Sequence, residues 1–253
     1  MQKDCAFLRH VLRWATNWRT PDGRYLLREN PVRGFTAPRE VNPRRPVATQ
    51  DRYEKLRAVS DSVTMELRWN GKRERARSYL SEILDIINGT GRRISAVCQL
   101  RYEDLQLEKS KIAPHGAIRW PASTDKMGFE SNRPVAPGVR AALDRIMAER
   151  PGLGSAPLFP SPGDPTRPVR RDVVDRWLVR AEEKARLDPL PGGLWHPFRR
   201  KWATERKHLP DADVAAAGGW RNLDALRQCY MRADDQTILK VVLAREELRE
   251  AVQ

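Results

Sequence analysis

The stretch from Phe35 to Thr49, FTAPREVNPRRPVAT, sets three prolines among arginines with no hydrophobic periodicity. Proline removes a backbone donor and pushes the preceding residue out of the helical region, so this text reads as an extended linker rather than a helix or a central strand. It divides the 253 residues into a short head, 1–46, and a body, 47–253, long enough to bury a core of its own. In the head, Phe7, Leu8, Val11, Leu12, Ala15 and Trp18 recur at helical spacing before Thr20-Pro21-Asp22-Gly23 breaks the pattern. One amphipathic helix is expected there, with a face too apolar to leave in water, so that it needs a packing partner.

Hydrophobic residues make up 40 % and charged residues 32 %, a balance that fits a globular chain and excludes a disordered tail. The net charge of +14 points to a polyanionic partner, nucleic acid first among them, although an arginine-heavy composition alone also raises it. Cys5, Cys98 and Cys229 form no CxxC pair, so neither a disulfide framework nor a thiolate zinc site is encoded. The histidines show no HExxH spacing, and no metal or cofactor is expected. With no signal-peptide pattern at the start and no apolar run of membrane-spanning length, the expected location is the cytoplasm, with the nucleoid, and away from membranes.

Within the body, Thr49 is placed to cap a helix carrying Tyr53, Leu56 and Val59. A second helix is expected from about Arg75, burying Tyr79, Leu80, Ile83, Leu84 and Ile87 until Asn88-Gly89 stops it. Between Leu105 and Pro137 the segments LQLEKSKI, AIRWPA and RPVAP alternate between polar turns, which predicts a small antiparallel sheet. Residues 151–168 carry six prolines and read as an irregular connection; from Arg170 the pattern is helical to the end. The fold class is therefore mainly α with a small antiparallel β-sheet, an α+β arrangement.

The chemistry-bearing residues begin with His196 and Arg199 in LWHPFRRKWATERKHL, three apart and able to offer donors to one anion. Alone this spacing means little, since His10 and Arg13 repeat it. Its surroundings add information: Thr90-Gly91-Arg92-Arg93-Ile94-Ser95 lies upstream, Gly218-Gly219-Trp220 follows, and Tyr230 comes ten residues after the tryptophan. In this order the chain resembles the tyrosine recombinase (phage integrase) family, from about residue 47 to the end.

The resemblance implies a set of site residues. Arg93 fills the first arginine slot of the TGxRxSE pattern, with Arg92 in its variable position. Lys126, in Ser123-Thr124-Asp125-Lys126-Met127-Gly128, resembles the lysine of a β-hairpin whose return strand begins at Arg133-Pro134-Val135. His196 and Arg199 match HxxR, Trp220 takes the histidine-or-tryptophan slot, and Tyr230 takes the nucleophile slot. The pattern's acidic residue is replaced by Ala96, for which Glu103 and Asp104 are the neighbouring substitutes. Each residue alone has a commoner explanation, as a packed tyrosine, a solvated lysine or a core tryptophan; only the order of all six speaks for a site.

The residue types suit phosphodiester chemistry. Charge grows on the non-bridging oxygens during in-line attack, and Arg93 and Arg199 offer forked, permanent cations there. A phenol, with a pKa of about 10, needs a basic neighbour to attack at neutral pH, for which His196 is the candidate. Lys126 is suited to protonate the leaving 5′ oxygen, and the Trp220 indole offers one hydrogen bond.

The resemblance implies a DNA strand-exchange enzyme working through a 3′-phosphotyrosyl link, as a homotetramer on double-stranded DNA. A decayed, non-catalytic DNA-binding protein is the alternative. It further implies that 1–46 is the remnant of a helical core-binding clamp plus linker, and 47–253 the catalytic domain. The apolar face of Ile238, Leu239, Val242, Leu243 and Leu248 is expected either to pack in cis or to dock on a neighbouring subunit.

Overall fold

A computed structural model of the protein describes residues 2–35, 45–69, 72–124, 128–231 and 238. It divides into two compact units, Met1–Arg44 and Arg45–Gln253. In the first, α1 spans Gln2–Asn17, one residue short of Trp18. A turn then brings Arg19 back against Tyr25, whose hydroxyl accepts from Nη2 at 2.8 Å. Ala15 is buried, whereas Phe7, Leu8, Val11 and Trp14 remain exposed, so the apolar face foreseen for this helix is present and largely uncovered.

The second unit opens with α2, Gln50–Ser60, where the Thr49 hydroxyl accepts from the Arg52 amide as foreseen. The next segment departs from expectation. Arg75 begins no helix; it lies in β2, Lys72–Arg77, paired antiparallel with β1, Thr64–Trp69. Met65 and Leu67 alternate with polar neighbours, and the register runs from Thr64 opposite Arg77 to Trp69 opposite Lys72. The helix α3 starts only at Leu80 and continues through Asn88-Gly89 to Thr90. Gly89 serves packing instead of termination, because a Cβ there would come within 2.2 Å of Val139 Cγ2. Gly91, at φ +63°, ends the helix.

Helix α3 is the centre of the core, with Leu80, Ile83, Leu84, Ile86 and Ile87 all fully buried. After α4, Ile94–Cys98, the sheet forms as expected in kind, with β3 Leu105–Gln106, β4 Ala117–Trp120 and β5 Ser131–Pro134 in antiparallel order β3-β4-β5. Only two residues of LQLEKSKI are strand. Helix α5, Pro137–Glu149, had no counterpart in the expectations, although Val139, Ala142, Leu143 and Ile146 form its buried stripe.

Residues 151–168 are less irregular than their prolines suggest: Pro160–Ser161 (β6) and Asp164–Pro168 (β7) pair as a hairpin, whose short strands tolerate proline. The helical C-terminal part is broken into α6 Arg171–Lys184, α7 His196–Thr204, α8 Asp211–Gly218 and α9 Leu223–Cys229. A second cluster of Trp202, Ala203, Val214, Ala215, Trp220 and Leu226 joins the last three, with Tyr230 packed on its edge. Of the proposed C-terminal face only Ile238 is described, and it is half exposed; Leu239, Val242, Leu243 and Leu248 lie outside the described residues. Among the described residues no helix is long and apolar enough to cross a membrane.

Gly91 is held on two counts. Its left-handed φ disfavours any side chain, and a Cβ would stand 2.5 Å from Trp202 Cδ2. Gly91→Ala should therefore destabilise the protein by about 2 to 4 kcal/mol, backbone strain and overpacking together, read as a lower urea midpoint. A loss below about 0.5 kcal/mol would show that the turn relaxes freely.

Candidate active site

The Gly91 turn delivers Arg92 and Arg93 to the start of α4, where Arg93 is the N-cap residue. Trp195 and Pro197 begin α7 and place His196 and Arg199 on one side of it. Asn222 caps α9, accepting from the amides of Asp224 and Ala225, and the helix ends at Tyr230. The Tyr230 carbonyl accepts from Thr204 Oγ1 at 3.0 Å, which ties the end of α9 to α7. Arg93, His196, Arg199 and Tyr230 come together around one cavity of about 520 Å³.

Arg199 organises this cavity from below. Only 2 % exposed, it donates through Nη1 to the carbonyls of Gly91 and Gly218 and through Nη2 to Gly219. Its Cζ lies 3.4 Å from the Trp220 ring centroid and 5.4 Å from that of Tyr230. Burial, then the nearby Arg93, lower its pKa to about 9, against the opposing pull of Tyr230. It still carries its charge at neutral pH. Arg93, half-buried, donates to the same Gly219 carbonyl at 3.4 Å, so both guanidinium groups share one anchor.

His196 stands beside Tyr230, ring centroids 6.3 Å apart. Burial, followed by repulsion from Arg200, Arg199, Arg171 and Arg93, lowers its pKa to about 4. The imidazole is thus neutral at physiological pH and able to accept a proton. In the free protein its ¹³Cε1 resonance, identified by comparison with His196→Gln, should show no titration above about pH 5. A midpoint near 6.5 would mean that the surrounding arginines do not act on it.

Trp220 packs edge-on against Tyr230, centroids 5.0 Å apart, and stacks on Trp202 at 5.9 Å. Its buried Nε1–H has no acceptor among the described residues. Lys126 lies outside the described residues, but Ser123 and Thr124, just before it in the β4–β5 connection, line the cavity.

Arg92, Arg171, Ser95, Ser123 and Thr124 also line this cavity, and none was singled out from the sequence as a site residue. Arg171 has no local signal, because only the packing of α6 brings it near His196. The substitutes considered for the missing carboxylate do not serve: Asp104 is buried against Arg119 at 3.0 Å, Glu103 is exposed, and neither lines the cavity. Ala96 itself is buried in the core. Among the described residues no group of three or more His, Cys, Asp or Glu side chains is arranged to hold a metal ion.

A half-enclosed cavity lined by several arginines, a neutral histidine and a tyrosine, on a mainly helical α+β scaffold, is suited to receive an anionic group. The phage integrase family model matches residues 47–237, and the chain belongs to this family. Its fold is that of tyrosine recombinase catalytic domains. XerH site-specific recombinase, in a post-cleavage complex with a palindromic difH substrate, superposes with a TM-score of 0.65 at 17 % identity, over 93 % of this chain and 64 % of that one. A lambda integrase dimer bound to a COC′ core site gives 0.64 at 19 %, over 91 % and 59 %. XerA recombinase gives 0.57 at 16 %, over 79 % and 65 %. The chain thus spans less than two thirds of the length of these relatives. No curated protein matches it in sequence.

Proposed function

We propose that this protein cuts and rejoins double-stranded DNA through a covalent link between Tyr230 and a 3′ phosphate. The observation that carries this reading is the meeting of Tyr230 with Arg93, Arg199 and His196 around a single cavity. The Tyr230 oxygen attacks phosphorus in line and passes its proton to neutral His196. Arg93 and Arg199 hold the two non-bridging oxygens, where negative charge grows. The Trp220 Nε1–H, which has no acceptor among the described residues, donates to the same phosphate. The 5′ oxygen leaves with a proton from Lys126. A phosphodiester is exchanged for another of similar energy, so a second strand's 5′ hydroxyl reverses the step.

Family membership and the +14 charge support DNA as the substrate. A related lambda integrase forms a tetramer on a Holliday junction, and a homotetramer on DNA is the proposed working assembly here. The Met1–Arg44 unit is proposed to belong to a helical DNA clamp.

The test is covalent capture from a pool of biotinylated duplexes of randomised sequence, retained after a denaturing wash and sequenced. A recurring sequence in the captured fraction is expected. Sequence-selective DNA binding without any adduct would overturn the reading in favour of a non-catalytic DNA-binding protein.

A further inference from the structure

Arg92 holds the variable slot beside Arg93, yet it is only 5 % exposed, and burying a guanidinium is costly unless directed contacts compensate. Its Cζ lies 4.9 Å from the Trp120 ring centroid, and its Nη2 donates to Ser131 Oγ at 3.0 Å. Trp120 and Ser131 are the last paired residues of β4 and β5. They are therefore the two feet of the connection 121–130, which carries Lys126. On its other side the same guanidinium lies against Gly219, where an added Cβ would stand 2.4 Å from Nη1. The Gly219 carbonyl in turn receives Arg93 and Arg199.

We infer that Arg92 is a positioning residue that fastens both feet of the Lys126 connection to the turn carrying Arg93. Resting on the strand-cleavage reading above, this ties the two ends of the connection that bears the proposed acid to the turn whose arginines hold the phosphate. A planar fork is needed because one face packs on Trp120 while an edge nitrogen reaches Ser131; an ammonium offers no such plane. Proton transfer tolerates little misplacement: about 1 Å costs on the order of 10²-fold.

The test uses a duplex recovered by covalent capture, synthesised with the natural phosphodiester, with a 5′-bridging phosphorothiolate, or with a methylphosphonate at the scissile position. A thiolate leaves without a proton donor, so a defect in protonation disappears on the phosphorothiolate. A neutral methylphosphonate needs less cationic stabilisation, so a defect in the arginine clamp is relieved there instead. Arg92→Met should slow single-turnover cleavage of the natural duplex by about 10- to 100-fold and return to within about threefold of wild type on the phosphorothiolate. Arg92→Lys and Ser131→Ala, milder changes at the two ends of the same bond, should lose about threefold to tenfold and recover in the same way, which keeps the test decisive if Arg92→Met does not fold.

Normal cleavage of the natural duplex by these variants, a defect that persists on the phosphorothiolate, or relief by the methylphosphonate would each overturn the positioning role. Lys126→Ala is the control. Its failure to recover on the phosphorothiolate would remove Lys126 as the acid, and a wild-type protein inert on all three duplexes would overturn strand cleavage itself; the role of Arg92 falls with either.

Discussion

Tyr230→Phe should abolish covalent capture of DNA while leaving duplex affinity within about twofold of wild type. In the proposed reaction the hydroxyl forms the phosphotyrosyl bond, and no other group on the ring can replace it. The rest of the side chain stays engaged, since its edge-on contact with Trp220 and the Thr204 bond to its carbonyl do not involve the hydroxyl. The fold and the phosphate contacts of the arginines should therefore be intact, and the loss falls on chemistry alone. Denaturing gels with labelled duplex measure the adduct, and equilibrium titration at fixed salt measures binding. An adduct persisting in the phenylalanine variant would remove Tyr230 as the nucleophile.

Arg199→Ala and Arg93→Ala should each slow cleavage by at least about 10²-fold, because each takes a preorganised cation from the growing charge of the transition state. Their effects on stability should differ. Arg199 is fully buried and serves the carbonyls of Gly91, Gly218 and Gly219, so its removal orphans the first two, leaves the third only its long bond to Arg93, and should cost about 3 kcal/mol or more in urea unfolding. Arg93 is half-buried with one long bond to Gly219, and its removal should cost under about 1 kcal/mol. Arg199→Lys should recover part of the activity but little of the stability, since an ammonium cannot serve diverging carbonyls with a planar fork. Near-normal cleavage by Arg93→Ala would transfer the clamp to another arginine of the cavity.

Much of the candidate cluster was legible because its signal is an order of residue types along the chain. Arg93, His196, Arg199, Trp220 and Tyr230 were named from spacing and resemblance, and the fold brings all five together. Local periodicity was equally informative where one face is buried, as in α2 with its Thr49 cap. It failed where a local signal has two meanings. Asn88-Gly89 resembles a helix stop, but glycine there is required by the approach of Val139, a contact made fifty residues later in the chain. The β1–β2 hairpin was hidden because KRERAR has no apolar alternation of its own and gains its strand character from pairing with β1.

By itself the sequence determined the mainly helical α+β class, the break near residue 45, and five residues that the fold brings together, because these follow from backbone preferences, hydrophobic period and the order of side chains along the chain. Only the tertiary structure decided their states and their supports. His196 is neutral because burial combines with four arginines from α4, α6 and α7, which no local window contains. Arg199, a cation lining the cavity, is also a brace that joins the carbonyls of Gly91, Gly218 and Gly219. Arg92, beside Arg93 in the chain, turns instead to Trp120 and Ser131. Charge and hydrogen-bonding capacity are properties of a residue, but the dielectric and the partners that set their use belong to the packed interior, where distant segments meet.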